Sequence, residues 1–292
     1  MNTLGYDFAI FWNAARVFIS GRSPYIVQGF YSPLPFLLTM VPLGLLPYAV
    51  AFFVWTVFNI LALVTLAKRH ALRALLFLPV FFALWVGQVD LIIVALSFSG
   101  TWWGVALTTL KPQLAIWLVP IFVVEWWKAG KVLTIIKMAS AAVLLYILPS
   151  ILQPGWWLAW LSATPSILQY AKHASSLFGI SAVLDPPIPI VISFLAIVCY
   201  AILSFIVIRP HTRSEYLSWV ATINPLANIY SQCLLVFQVD WIAVALSWLL
   251  VPLTLYFHTG LPWALVPLYL LWRARQLPNN SLEEIRNTAE KS

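Results

Sequence analysis

Apolar residues run through this chain in long unbroken blocks, and polar residues fall in the short gaps between them. Blocks such as 49–66, 133–152 and 188–208 approach or reach the roughly 20 residues that carry an α-helix across a bilayer. They do not alternate apolar and polar positions, so they read as helices and not as barrel strands. The pattern predicts spans at 48–67, 71–87, 131–152 and 188–208. Residues 91–126 hold more apolar length than one span, broken at Ser99-Gly100 and at Lys111-Pro112. Residues 216–274 supply two or three more, interrupted at Asn224-Pro225 and around His258 to Pro262. Residues 31–46 carry Pro33, Pro35 and Pro42, and such punctuation predicts a half-helix. Helix breaks are tolerated at membrane depth where they line a polar cavity.

The opening segment has a different rhythm. Phe8, Phe11, Trp12, Ala15, Phe18 and Ile19 recur at helical spacing, with Asp7, Asn13 and Arg16 between them. That is the signature of an amphipathic helix lying in a membrane interface. Gly21 to Tyr25 ends it as a turn. The fold class expected is all-α: a polytopic membrane helical bundle of eight or nine helices, some broken, with an interfacial N-terminal helix. Residues 1–276 form one transmembrane domain, with 1–32 as its outer segment and 277–292 as a cytoplasmic polar tail. Residues 1–30 lack the basic start, apolar core and cleavage site of a signal peptide.

Composition agrees. The chain is 62% hydrophobic and only 9% charged, where a soluble domain carries about 25% charged residues. Its mean hydropathy is +0.92. Paired tryptophans, such as Trp102-Trp103 and Trp126-Trp127, fit interfacial belts. Cys199 and Cys233 sit in apolar runs and read as small core hydrophobes. The net charge of +7 does not point to nucleic acid, because the basic residues cluster between apolar blocks. Lys68, Arg69 and Arg73 form one group; Lys128, Lys131 and Lys137 another; then Arg209 with Arg213, and Arg273 with Arg275. This is the positive-inside pattern and assigns these groups to the cytoplasm. Arg16, Arg22, Lys111 and Lys172 fall outside it and either gather on the outer side around an anion or serve as solvated loop charges.

Acids are scarce, nine in the chain. One near a membrane is costly unless it is paired, solvated or used, so Asp7 is a site candidate, with a helix cap or interfacial acid as the plainer reading. Glu125 reads as the partner of a nearby lysine. Asp90 and Asp240 read as carboxylates in the first turn of apolar helices, where the dipole favours them. They share an echo: Gln88 to Ser97 and Gln238 to Ser247 match at eight of ten positions. A duplicated half would suggest a transporter, although short apolar strings also match by chance. The histidines show no metal-ligand spacing, and no phosphate-binding loop or nucleophile elbow is present.

Taken in order, several pieces form a recognisable series. Asp7-Phe8, Trp12, Ala14-Ala15, Gly21 and Pro24-Tyr25 come first. Tyr31-x-Pro-Leu, the proline-punctuated stretch to Pro47, Gly87-Gln88, Leu110-Lys-Pro-Gln113, Ser175 to Gly179 and Asn224-Pro225 follow. This order resembles glycosyltransferase family 87, the polyprenol-phosphate-mannose-dependent mannosyltransferases of the C-type (GT-C) superfamily, over residues 5–235. Two departures stand out: the family's membrane helix ahead of the acidic segment, and its Ser-Pro break with a nearby histidine, are not matched here.

The resemblance implies a membrane glycosyltransferase. It would move a sugar, mannose, from a polyprenyl-phosphate donor to a glycolipid or glycan acceptor on the outer face of a prokaryotic plasma membrane. Asp7 takes the position of the general base. Arg22, Lys111 and Lys172 are the cations for the leaving phosphate, with Gln88 and Gln113 as polar lining. Tyr25, Tyr31 and Tyr230 are candidates for stacking on sugar, and Asn224 and His173 for further substrate contacts. No cofactor is implied, and a divalent metal on the donor phosphate stays open. A transporter or flippase of lipid-linked sugars, or a non-catalytic relative, is the alternative.

Overall fold

In the computed structural model, residues 4–164, 174–177, 199–200, 202–224 and 228–276 are described, and among them every regular element is helical. Lys172, His173, Pro225, most of the block 188–208 and the tail 277–292 lie outside the described residues.

Helix α1 (Tyr6–Ile19) buries Phe8, Phe11, Ala14 and Ala15, a stripe at the spacing the sequence predicts. Its partner is protein: α1 packs on α2 (Leu34–Gly44), the short apolar helix with Pro42 inside it. Trp12 stands at the edge, donating from Nε1 to the Leu46 carbonyl at 3.1 Å.

Among the described residues, two helical rods are long and apolar enough to cross a membrane, Tyr48–Leu76 and Val132–Leu152. The first joins α3 (Tyr48–Ala67) to α4 (Ala71–Leu76) through a 3-10 turn. Their apolar windows are only 28% and 11% buried within the protein. Phe53, Phe58 and Leu61 on the first, and Leu133, Val143 and Ile147 on the second, point outward. Exposure of this kind forfeits about 25 cal/mol per Å² in water, and a hydrocarbon surround removes that cost. The rods therefore fit a chain that resides in a bilayer.

A third crossing exists if α5 (Leu78–Val86) and α6 (Asp90–Phe98) count as one span. They meet at a bend of 116°. Its cause is local. Gly87 closes α5 in the left-handed region at φ 77°, and α6 restarts at Asp90. The interruptions at Ser99-Gly100, Lys111, Asn224 and His258 fall where the sequence places them. The span expected over 71–87 is instead split at Phe77, whose extended backbone ends α4 and starts α5. After α6 comes α7 (Trp102–Leu107), capped by Thr101, whose hydroxyl accepts from the Gly104 amide. Pro112 then opens α8 (Pro112–Lys128). Helix α9 (Val132–Ile147) and the short α10 (Pro149–Leu152) make the second rod, and α11 (Trp156–Ala163) follows. Further on stand α12 (Arg213–Ile223), a 3-10 stretch Ile229–Leu235, α13 (Trp241–Leu249), α14 (Val251–Phe257) and α15 (Leu265–Gln276).

The α5–α6 bend sits inside the bundle, with the 3-10 stretch and α3 packed against it. The start of α1 is fastened to it through backbone groups. The Gly5 amide donates to the Trp85 carbonyl at 2.8 Å, and the Tyr48 hydroxyl donates to the Gly5 carbonyl at 3.1 Å. Trp55 Nε1 donates to the Gly87 carbonyl at 2.8 Å. Phe8 fills the corner between them, its ring 5.4 Å from Phe52 and 6.0 Å from Trp55. These contacts fix the first turn of α1, and so Asp7, against Gly87-Gln88.

Ion pairs join several of the basic groups assigned to the cytoplasm. Arg213 Nη2 donates to both carboxylate oxygens of Glu125, at 2.6 and 2.7 Å, so the partner of Glu125 is this arginine and not a neighbouring lysine. The reason is reach: Glu125 lies near the end of α8, beside the start of α12. Arg273 pairs with Asp240 at 2.8 Å, and Arg275 with Glu215 at 3.8 Å.

A Cβ added at Gly87 would lie 2.6 Å from the Phe8 Cβ. At Gly100, also left-handed at φ 71°, it would meet nothing within 4 Å. Gly100→Ala is expected to cost only the left-handed strain of about 1–2 kcal/mol. Gly87→Ala adds an overpacking cost of about 1–3 kcal/mol. Thermal unfolding of both variants in detergent measures the difference, and equal melting temperatures would contradict the close approach of α1 to the bend.

Candidate functional site

Four residues named from the sequence converge at the α5–α6 bend: Asp7, Gln88, Lys111 and Tyr230. Gln88 follows the turn at Gly87 and reaches toward the first turn of α1. Its Nε2 donates to Asp7 Oδ2 at 2.8 Å. Its Oε1 accepts from the Lys111 ammonium at 3.2 Å and from the Val89 amide at 3.3 Å. Reversing the amide would set donor against donor at Lys111 and acceptor against acceptor at Asp7. Only the observed orientation satisfies both neighbours.

Lys111 reaches inward because of the residue after it. Proline disfavours helical backbone at the preceding position, and Lys111 stands at φ −123°, ψ 83°, outside both flanking helices. Its ammonium forms a buried ion pair with Asp90 Oδ2 and lies 5.1 Å from the centre of the Tyr230 ring. That ring stacks on Phe82, and its hydroxyl accepts from Asn228 Nδ2 at 2.6 Å. Asp90 is fully buried, and Lys111 and Gln88 are each 6% exposed. Asp7 is half-buried. The arrangement runs from a reachable carboxylate through an amide to an interior charge pair.

Burial holds the Asp7 carboxyl above its ordinary value. The Gln88 hydrogen bond and the Lys111 charge oppose that rise, and the Asp90 charge adds to it. A carboxylate raised in this way is a stronger proton acceptor once ionised, which suits a general base.

The remaining candidates separate. Arg22 lies exposed on the turn after α1, where its Nε donates to Ser20 Oγ at 3.3 Å. From Asp7 to the end of that helix is roughly 18 Å along the axis. Tyr25 packs against Phe30 and follows the same turn. The Tyr31 carbonyl accepts from Trp160 Nε1 at 2.8 Å, which ties that segment to α11. Gln113 lies in the first turn of α8, and its carbonyl accepts from Asn224 Nδ2 at 3.4 Å, linking the start of α8 to the end of α12. That bond involves none of Asp7, Gln88, Lys111 and Asp90. Lys172 and His173 lie outside the described residues.

Sequence reasoning missed Asp90 as the partner of Lys111. Asp90 begins a helix but accepts no capping bond. Its counterpart in the echo, Asp240, does cap, accepting from the Ala243 amide at 2.7 Å. The signal was available: a lysine in an apolar stretch requires a buried counter-charge, and few acids lie in such stretches. Asn228 carried no comparable signal. Among the described residues, no three His, Cys, Asp or Glu side chains converge as metal ligands. Compared with known proteins, the chain matches no family model, no curated sequence and no solved structure.

Two outcomes follow from this geometry. Removing one partner of the buried pair, as in Lys111→Met or Asp90→Leu, strands a charge and should cost about 3–5 kcal/mol. The double variant should cost less than either single one. Chemical denaturation in mixed micelles reads this, and additive losses would count against the pair. Asp7 behaves oppositely. Its folded-state pKa lies above the unfolded one, so its stabilising contribution is full below the ordinary aspartate value. That contribution is lost as pH rises through the folded-state pKa. Asp7→Asn should remove this fall with pH and melt no lower than wild type at neutral pH. A variant markedly less stable there would assign Asp7 a structural role.

Proposed function

We propose that this chain is a membrane glycosyltransferase of the GT-C type, with eight or nine membrane helices, some broken. It transfers a sugar, mannose, from a polyprenyl phosphate to a glycolipid or glycan acceptor, with its site on the outer face of a prokaryotic plasma membrane. The observation that carries this reading is the half-buried Asp7 carboxylate held beside the Lys111 cation through the Gln88 amide. The two charges lie within about 8 Å along the hydrogen-bonded path. A displacement at the anomeric carbon needs a base on one face and a leaving group on the other.

In the proposed reaction, an acceptor hydroxyl attacks the anomeric carbon and Asp7 takes its proton. The bond from that carbon to the phosphate oxygen breaks, and the phosphate leaves with the electron pair. Positive charge aimed at that oxygen stabilises the transition state. The Lys111 ammonium has three donors. Asp90 and Gln88 engage two, and the Tyr230 ring lies against the ammonium. Asp90 balances the cation in the resting bundle. Arg22, at the far end of α1, suits the donor or acceptor away from the reacting centre.

A second reading has its own observation. The echoed segments each place an aspartate at a helix start paired with a distant cation, Asp90 with Lys111 and Asp240 with Arg273. A transporter of lipid-linked sugars built on two related halves would use such pairs without any base.

Sugar transfer from labelled polyprenyl-phosphate-mannose to lipid acceptors in membranes separates the two. Wild type should transfer, and Asp7→Asn at equal abundance should lose about 100-fold or more of the rate. Equal transfer by both would remove Asp7 as the base. Movement of the labelled lipid between leaflets, without transfer, would establish the second reading.

A further inference from the structure

We infer that Gln88 is a positioning residue for Asp7, and that Lys111 acts on the carboxylate through it. The inference rests on the reading of Asp7 as the base. An aspartate in the first turn of a helix can rotate about two side-chain torsions, and only some settings aim a carboxylate oxygen at an incoming hydroxyl. Gln88 removes that freedom by holding Oδ2, which leaves Oδ1 for the acceptor's proton. A glutamine amide is symmetric in shape and would fix nothing if it could flip. Here it cannot, because the Lys111 ammonium and the Val89 amide both require its oxygen. The clamp is itself anchored. Lys111 is held by the fully buried Asp90, and Gln88 follows a glycine turn that has no room for a side chain.

Among the described residues, other groups near Asp7 do not supply this function. The elements packed on the first turn of α1 bring no charge of their own: α2, α3 and α5 contain no acidic or basic residue. Tyr48, from α3, is the titratable group on that side, and its hydroxyl is spent on the Gly5 carbonyl. Arg16, on α1 itself, lies over the Trp12 ring at 4.8 Å. Lys111 and Asp90 are the charges that act on Asp7, and Gln88 is the bonded path between them and the carboxylate.

The test uses the full chain in lipid nanodiscs and has two readouts. The first is labelling of Asp7 by a hydrophobic carbodiimide, which captures the protonated carboxyl, followed by peptide mass spectrometry across pH. The second is transfer from polyprenyl-phosphate-mannose, resolved into kcat and KM for the donor. Gln88→Leu removes the donor to Asp7, and Gln88→Asn withdraws it by one methylene while keeping the amide. The half-point of labelling should move up by about one pH unit in Gln88→Leu. The value of kcat should fall about 10- to 100-fold, with KM changed less than about twofold. Gln88→Asn should lie between that variant and wild type in both readouts. Labelling curves that coincide with wild type in both folded variants would overturn the inference, as would a loss carried wholly by KM. A shifted labelling curve with unchanged transfer would uphold the hold on the carboxylate and refute Asp7 as the base. Failure of the inference is thus distinguishable from failure of the functional reading.

Discussion

A charge inside an apolar bundle must be matched, and the pair of Lys111 with Asp90 meets that demand here. Neither ion is tolerable alone at 6% and 0% exposure. Together they fasten the turn ahead of α8 to the start of α6, and so bind the two halves of a broken apolar stretch. Such pairs often add little net stability relative to well-packed apolar residues. Their value lies in fixing a geometry. The rest of the polar centre is built outward from this point, with the Gln88 amide orienting on the ammonium and Asp7 on the amide.

The second requirement is closeness of backbone. Asp7 reaches Gln88 only because the first turn of α1 lies directly on the α5–α6 bend. Gly87 permits that approach, and Phe8 fills the corner beside it. Three hydrogen bonds to main-chain carbonyls, from the Gly5 amide, Tyr48 and Trp55, surround the junction. Backbone anchors tolerate exchange of many neighbouring side chains. They hold one helix start in place while the outer faces of α3 and α9 remain turned away from the protein.

Much of this was legible in the sequence, and the reasons differ by level. The breaks at Gly87, Ser99-Gly100 and Lys111-Pro112 were readable because glycine and proline act locally on the backbone. The stripe of α1 was readable because helical period is a local property; its occupant was not, since the same stripe fits lipid or protein. Asp7, Gln88, Lys111 and Tyr230 were singled out by being polar or aromatic in unusual places, and the fold brings these four together. Arg22 was grouped with them by nearness in sequence, and a rigid 14-residue helix carries it to the far end. The Asp90 pairing spans 21 residues and three helix boundaries, so no local rule reveals it. The Gln88 to Ser97 echo shows the same limit. Near-identical strings carry an aspartate that caps in one copy and takes an ion pair without capping in the other, because the surroundings differ.

The two apolar rods also differ in length, and a membrane would register that difference. Val132–Leu152 has 21 residues, which rise about 31 Å as a helix, close to the roughly 30 Å of a bilayer's hydrocarbon. Tyr48–Leu76 has 29 residues, which would rise about 43 Å. No single bilayer thickness buries both rods end to end while they stand upright. The shorter rod can sit along the membrane normal, while the longer one must lean or carry its last turns, beyond Lys68, into the headgroups. The start of α3 holds Tyr48 and Trp55, the side chains that fasten the polar centre. Where the rod leans, its tilt sets the angle at which the centre faces the lipid surface. Where its basic last turns lie among the headgroups, the centre keeps its angle and its depth is fixed by Lys68, Arg69 and Arg73.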